Sequence, residues 1–476
     1  MAGITGLGSG LDIDSIVSAL VKADRAPKDL QLARLEKTTN TKFTALGQLK
    51  SVLSEFHTAL KDLNKSSLFE NRSATSSDTS LLTATAAKSA LAGTYSIKVS
   101  QLATGSKVGT AALASDYKVP TNADANGIAG KLTVKVGASD TGTEVEIAEG
   151  ATLTEVRDAI NIQLKEKGVT ANLVSNPSDG TTRLVLSSSK SGAGNDVQIT
   201  SSDPDLASLT IGSGTLSSAD PASSGIIEAA RNAKFSIDGL ELESASNSVT
   251  GAIPEVTVDL KAASTEKTIT LTIDQDKDGV KSQIGKFVDA YNKVVTITNK
   301  LTSVTPSSSG DAPITGGLVG DATVRNLLGG IRNTLAEPAE PADQEGIRVL
   351  ADLGISTQKD GTLKIDDTKL DKALKDNFDQ VASFFTGDTG LMSRLDKRVD
   401  SFVQTGGILQ QRMDGLQSTL KSVDKQKEAL EVRVAQVQER LYKQFNAMDS
   451  MVSQLTQTSD RLTQALASLP GVVSKD

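Results

Sequence analysis

His57 is the single histidine of the chain, and cysteine is absent. Any device that needs an imidazole therefore has one starting point, and a zinc site of three or four Cys and His ligands cannot be assembled within one chain. A Ser-His-Asp arrangement would have to use His57. That residue lies beside a run of apolar residues at helical spacing, and a helical histidine without convergent partners reads as a packing or surface residue. Asp274-Gln275-Asp276-Lys277-Asp278-Gly279 copies the opening of a calcium loop, with oxygens at positions one, three and five and glycine at six. Position twelve should supply a bidentate glutamate but holds Gly285, and an alternating strand precedes the loop where a helix is required. A turn between Ile273 and the next helix is the expectation there. Gly6-Leu7-Gly8-Ser9-Gly10 imitates a nucleotide-binding glycine loop, yet no strand precedes it and no βαβ unit follows. It reads as a chain end that becomes structured later. Neither a Walker A sequence nor a Gly-x-Ser-x-Gly elbow occurs. We assign no catalytic residue, no cofactor-binding residue and no metal ligand.

Composition narrows the classes further. The chain has 476 residues and a net charge of −8, which argues against a general phosphate-binding surface for nucleic acid. Aromatic residues are 3% of the total, with no tryptophan, so base-stacking platforms are scarce. Without cysteine, disulfides are impossible and redox gives no address. No apolar run is long enough for a membrane-spanning helix. Met1 to Leu11 lack a basic residue ahead of the apolar ones, which is unlike a Sec-type signal; the expectation is a cytoplasmic protein or one exported without a cleaved signal.

The elements follow from periodicity. Ile13, Ile16, Val17, Leu20 and Val21 mark a helix interrupted near Pro27. Phe43, Leu46, Leu49, Leu53, Phe56, Leu60 and Leu63 recur at spacings of three or four, one apolar stripe along a longer helix. After Gly406-Gly407 comes the strongest signal. Leu409, Met413, Leu416, Leu420 and Val423 alternate steps of four and three, Lys427 takes the next slot, and Leu430, Val434, Val437 and Leu441 continue. Met448, Met451 or Val452, Leu455, Leu462, Leu466 and Leu469 extend the series to Pro470. Such a heptad seam over about 60 residues implies roughly 90 Å of helix. So long a helix cannot bury its stripe along its whole length against a compact domain. Part of it can pair with 43–63, and 441–469 can pair with 11–35, but short polar-rich helices are marginal alone. The two termini are expected to become ordered mainly against other subunits, the alternative being a closed helical bundle.

Between the arms, Val280, Ile284, Phe287, Val288, Tyr291, Val294, Val295 and Leu301 mark a helix leading to the loop Thr305–Gly310. Asp321 is placed as the N-cap of a helix carrying Val324, Leu327, Leu328 and Ile331. Lys359-Asp360-Gly361 is a hairpin turn between Ile355 and Leu363. The middle of the chain reads as strands. Tyr95, Ile97 and Val99 alternate, as do Phe235 and Ile237, Val256 and Val258, and Ile269, Leu271 and Ile273. Inside these flanking strands lie Leu132, Val134 and Val136, then Val145 and Ile147. Thr152-Leu-Thr-Glu155 makes a capping box for a helix ending near Gly168. The class is α+β multidomain, in which N- and C-terminal helices form a coiled-coil or bundle leg carrying two inserted β-rich head domains. Its divisions are 1–40 with 441–476, terminal helical segments disordered in the monomer; 41–77 with 274–440, the leg; 78–105 with 230–273, a β-rich head domain; and 106–229, an outer head domain.

The chain resembles the flagellar hook-associated protein 2 family of filament caps in several segments. These are Gly6-Leu-Gly-Ser-Gly-Leu-Asp-Ile-Asp14, Gly93-Thr-Tyr-Ser-Ile-Lys-Val-Ser-Gln-Leu-Ala103, Asn232-Ala-Lys-Phe-Ser-Ile-Asp-Gly239 and Phe287-Val-Asp-Ala-Tyr-Asn292. Leu353-Gly-Ile355 and Glu439-Arg440 through Phe445 to Asp449 are similar as well. Thr152 to Ile199 resembles the module shared with flagellins and named for its Ile-Asn pair, here Ile160-Asn161. The resemblance implies a ring-like homo-oligomer at the distal tip of the extracellular flagellum, promoting flagellin folding and insertion and preventing flagellin loss. It also implies contact with hook-filament junction proteins, export by the flagellar type III apparatus, and a dedicated cytoplasmic chaperone guarding the C-terminal region. No nucleic acid, membrane insertion, cofactor or enzymatic activity is implied. On this reading Leu441, Met448, Leu455 and Leu462 dock the legs, together with Ile13, Ile16 and Leu20. The alternative is an exported tip adhesin whose Ser/Thr-rich head binds glycans or host surfaces.

Overall fold

The computed structural model describes residues 10–121, 127–306, 313–339 and 346–468. The start of the Gly6 motif, Ser307 to Gly310 and Leu469-Pro470 lie outside the described residues. The helices, in chain order, are α1 (Ile13–Leu63), the single turn α2 (Ser66–Phe69), α3 (Leu153–Leu164), α4 (Lys277–Thr302), α5 (Ala322–Ala336), α6 (Asp367–Asp376), α7 (Phe378–Phe385), α8 (Leu391–Val403) and α9 (Ile408–Ala467). Contacts divide the chain into a helical unit, Met1–Leu68 with Asp278–Asp476, and a β-rich unit, Phe69–Lys277.

In the helical unit, α1 begins where the Asp12 carboxylate accepts the Ser15 N–H at 3.0 Å. Of the stripe read from the sequence, Leu46, Leu49, Leu53, Phe56, Leu60 and Leu63 are all fully buried and Phe43 is half-buried. Helix α1 does not break at Pro27, which lies inside it. A mid-helix proline costs about 3 kcal/mol because it removes one backbone donor and crowds the preceding turn. Helix α9 runs antiparallel alongside and grips α1 on both sides of the proline. Asp24 pairs with Arg433 and Arg25 with Glu431 before it. Lys28 donates to Gln426 after it, and Leu32 packs with Val423, Leu430 and Val434. Tertiary pairing thus overrides the local signal. Lys427, the charged slot in the heptad series, meets Glu36 of α1, so the register is fixed by an ion pair where the apolar seam lapses.

Shorter elements pack around this pair. Asp321 caps α5, accepting from the N–H groups of Thr323 and Val324. The Arg412 guanidinium of α9 forks onto both its oxygens and holds the carboxyl below its ordinary value. Ile355–Thr357 and Leu363–Ile365 form the expected hairpin, with Gly361 at φ 86° in its turn. That hairpin is pinned to α4 by two neighbouring side chains. The Tyr291 hydroxyl donates to the Gly361 carbonyl at 3.0 Å, and the Asn292 amide exchanges two bonds with the main chain of Leu363. These contacts explain why tyrosine and asparagine stand together in the segment 287–292.

The β-rich unit has two cores. In the first, a five-stranded antiparallel sheet runs Arg72–Ser76, Ile269–Gln275, Gly93–Gln101, Ala233–Ile237, Leu240–Ser244. A three-stranded sheet, Ser248–Ile253, Val256–Leu260 and Leu82–Ala86, supplies the rest of that core, where Ile97, Phe235, Leu271, Val258 and Leu82 are buried. Residues 72–76, grouped with the leg by composition, belong here: each pairs with a residue of Leu271–Gln275. An edge strand reading Arg-Ser-Ala-Thr-Ser has no apolar alternation to reveal it. Asp238 and Gly239 both take positive φ, 51° and 85°, the turn that matches strand twist in a two-residue hairpin. Asp238 also accepts from the Ser96 N–H at 2.8 Å, tying the turn to the neighbouring strand.

The second core collects Leu132, Val134, Val145, Ile147, Ile160, Leu184, Leu186 and Val197. Its helix α3 opens with the capping box between Thr152 and Glu155. The chain then passes through Gly168 at φ 69° into the strand Val169–Ser175. Ile160 is buried in this core, and the adjacent Asn161 has a different task. Its side-chain oxygen accepts the Ala171 N–H at 2.7 Å, and its amide donates to the Ala171 carbonyl at 2.9 Å. One side chain thus stands in for a neighbouring strand at the outer edge of Val169–Ser175. Asn161→Ala leaves both main-chain groups without that partner, at about 1 to 1.5 kcal/mol each. The expected result is a loss of about 2 kcal/mol, with faster amide exchange in the peptide spanning 169–175, read by mass spectrometry on the full chain. Unchanged exchange there would remove this role from Asn161.

Candidate docking surface

The residues with chemical potential do not converge. His57 Nε2 lies 2.8 Å from Asp396 Oδ1 and 3.5 Å from Asp400 Oδ1, a contact that joins α1 to α8. In the calcium-like stretch, Asp274 and Gln275 are the last two residues of a strand, Asp274 is held by Lys277, and α4 starts at that same lysine. Gly285 at its twelfth position is one turn or more inside α4, so the stretch is a strand-to-helix turn with no room for a twelve-residue loop. An open groove between α1 and α4 is lined by Thr58, Ala59, Ala290 and Ile297. Its rim carries the Lys293–Glu55 ion pair.

What remains unexplained by the fold is apolar surface. The first turn of α1 meets α9 near Tyr442, whose phenol the neighbouring Asp14 carboxylate holds above its ordinary value. Because the helices are antiparallel, α9 continues past the start of α1 for about 25 residues, roughly 37 Å at 1.5 Å per residue. Along this overhang Met448, Met451, Leu455, Leu462 and Leu466 are exposed, Leu455 at 63%. Leu441, Met448, Leu455 and Leu462 are spaced by seven residues and so form one stripe along the helix. Lys443, Asp449, Asp460 and Arg461 flank it, two of each sign, so self-repulsion does not oppose association.

The structure divides the proposed residues. Leu441 is half-buried near the Tyr442 contact, while Met448, Leu455 and Leu462 are exposed together. On α1, Leu20 is 45% exposed and Ile16 is half-buried. Ile13 is fully buried, so it secures the beginning of α1 and falls out of the docking set. Its place in the helical series could not separate it from Ile16, because both lie within one broad apolar face. Leu30 and Leu35 of α1 and Val432 of α9 are also exposed and were missed, since they stand off the stripes that periodicity selects.

Comparison with known proteins matches three family descriptions. Residues 9–106 match the N-terminus of flagellar hook-associated protein 2, residues 230–457 its C-terminus, and residues 131–190 the flagellin hook IN motif. The A-type flagellar hook-associated protein 2 of Pseudomonas aeruginosa is 54% identical over 482 residues, covering 99% of this chain and 98% of that protein. A B-type counterpart from Pseudomonas aeruginosa is 43% identical over 479 residues, with 99% and 98% covered. Among solved structures, the flagellar cap protein FliD domains D1-D2-D3 of Escherichia coli align with TM-score 0.57 at 29% identity, covering 78% of this chain and 99% of that one.

Proposed function

Since this chain belongs to the flagellar hook-associated protein 2 family, we propose that its exposed α9 stripe is the surface by which it works. The protein is a structural assembly factor: an oligomeric cap at the distal tip of the bacterial flagellar filament that associates with flagellin and promotes its polymerisation. The observation that supports the docking role is the overhang of α9, whose apolar stripe has no partner among the described residues. Met448, Leu455 and Leu462, continued by Leu441 and joined by Ile16 and Leu20, make contact with neighbouring subunits. Isolated helical stretches of this length are marginal in water, so docking is what secures the overhanging part of α9. Ordering on contact offsets part of the binding free energy and keeps each contact reversible. A cap that must move as the filament lengthens needs that property.

Export through the flagellar type III apparatus, with a chaperone covering the C-terminal helix beforehand, accords with this surface. An exposed apolar stripe invites premature association, and a chain without cysteine cannot cross-link during passage. The relatives reported above are described as hook-associated or cap proteins, and the adhesin reading draws no support from them. Deletion of the gene tests the cap role. Short or missing filaments with monomeric flagellin in the medium, restored by the full chain, are the expected result. Ordinary filaments in the deletion strain overturn it.

A further inference from the structure

Thioether chemistry is concentrated on the same stripe. Of the 5 methionines in the chain, Met392 is fully buried in α8 and Met413 is half-buried over Gly47 of α1. Met1 lies outside the described residues. Met448 and Met451 are 41% and 64% exposed, three residues apart and one to two turns before Leu455. The chain has no cysteine, so no thiolate competes for oxidants, and the exposed thioethers are its softest accessible nucleophiles. Unbranched, polarizable methionine also suits a face that must fit more than one surface.

We propose that Met448 and Met451 form an oxidation-sensitive site on the docking face, modified by two-electron oxidants of the peroxide class. This inference rests on the docking reading above. A sulfur lone pair attacks one oxygen of hydrogen peroxide, the S–O bond forms as the O–O bond breaks, and the departing hydroxide takes the proton carried on the transferred oxygen and leaves as water. The thioether is oxidised to a sulfoxide and the peroxide is reduced. The product places a strong, chiral dipole where the stripe requires an apolar surface, so docking weakens. A dithiol-dependent sulfoxide reductase reverses the change, the oxygen leaving as water while the dithiol is oxidised to a disulfide.

The test treats the full chain with hydrogen peroxide, maps sulfoxides by peptide mass spectrometry and measures self-association by sedimentation. Sulfoxide at Met448 and Met451 is expected at least tenfold faster than at Met392 and Met413, and association is expected to weaken at least tenfold. In a Met448→Leu, Met451→Leu double variant, association after the same treatment equals that of the same variant before it. Equal oxidation at all four positions, or equal loss of association in the double variant, overturns the site. Leu455→Asp separates the two readings. If it associates like the unmodified chain, the docking surface itself is wrong. If it fails to associate while peroxide-treated wild type associates normally, only the oxidation inference is lost.

Discussion

Leu455→Asp abolishes swimming and releases flagellin into the medium, while the purified variant unfolds within about 0.5 kcal/mol of wild type. The two halves of this expectation have separate causes. Leu455 is 63% exposed, so its replacement removes little internal packing, and exposed substitutions away from caps and cores cost about that much or less. In a docked interface the same position must lose its water. An aspartate there is either buried without a partner, at several kcal/mol, or it holds the surfaces apart. With 1.4 kcal/mol per factor of ten, docking weakens by about a thousandfold or more at each leg. Gln457→Asp provides the matched control. It adds the same charge to the same turn but on the opposite face of α9, and motility is expected to be normal. Swimming by the Leu455→Asp strain, or equal loss in both, would remove the stripe from the docking role.

What could be read from the sequence followed how local each signal was. The stripe from Leu46 to Leu63 and the heptads of α9 were legible because a helix writes its buried face at fixed spacing within one segment. Caps and turns were legible for the same reason: Asp321, the Thr152–Glu155 box and Lys359-Asp360-Gly361 act over a few residues. Pro27 was misread because its local cost is countered by contacts with residues about 400 positions away. Residues 72–76 were misplaced because their partner strand, Ile269–Gln275, supplies the pairing and their own composition is polar. Asn161, Tyr291 and Asn292 stood in segments that resemble the family, yet periodicity gave them no task. Their work is to hydrogen-bond main chain elsewhere, and a side chain reaching 10 or about 70 residues along leaves no pattern in spacing. The docking stripe was visible as apolar residues, but whether such residues are covered is decided by where the partner helix begins. The described part of that helix starts at Asp12 and Ile13, and among the described residues this leaves the last part of α9 uncovered.

Phe56→Ala should produce the largest loss of stability in the helical unit, about 3–5 kcal/mol, the usual range for removing a buried phenylalanine. Phe56 is fully buried on α1. Its ring centroid lies 5.9 Å from that of Phe287 and 6.1 Å from that of Tyr291, both on α4. Tilted aromatic pairs at these separations contribute beyond area burial, and three rings sharing one site cannot collapse over the gap without moving the helices. The effect reaches past the cavity because Tyr291 also carries the bond to Gly361. Burial holds the Tyr291 phenol above its ordinary value, with Arg332 drawing it partly back. Water admitted by the missing ring therefore lowers it, and the hairpin at 355–365 loses its anchor. Helix content monitored at 222 nm in urea provides the measurement, since the β-rich unit contributes little at that wavelength. With a slope near 3 kcal/mol per molar for a unit of this size, the midpoint of the helical transition falls by about 1 M or more. Phe56→Leu, which fills most of the volume, recovers a large share of that shift. A midpoint unchanged in Phe56→Ala would mean that the three-ring contact does not hold α1 to α4, and the packing account of the helical unit would have to be rebuilt around the α1–α9 pair alone.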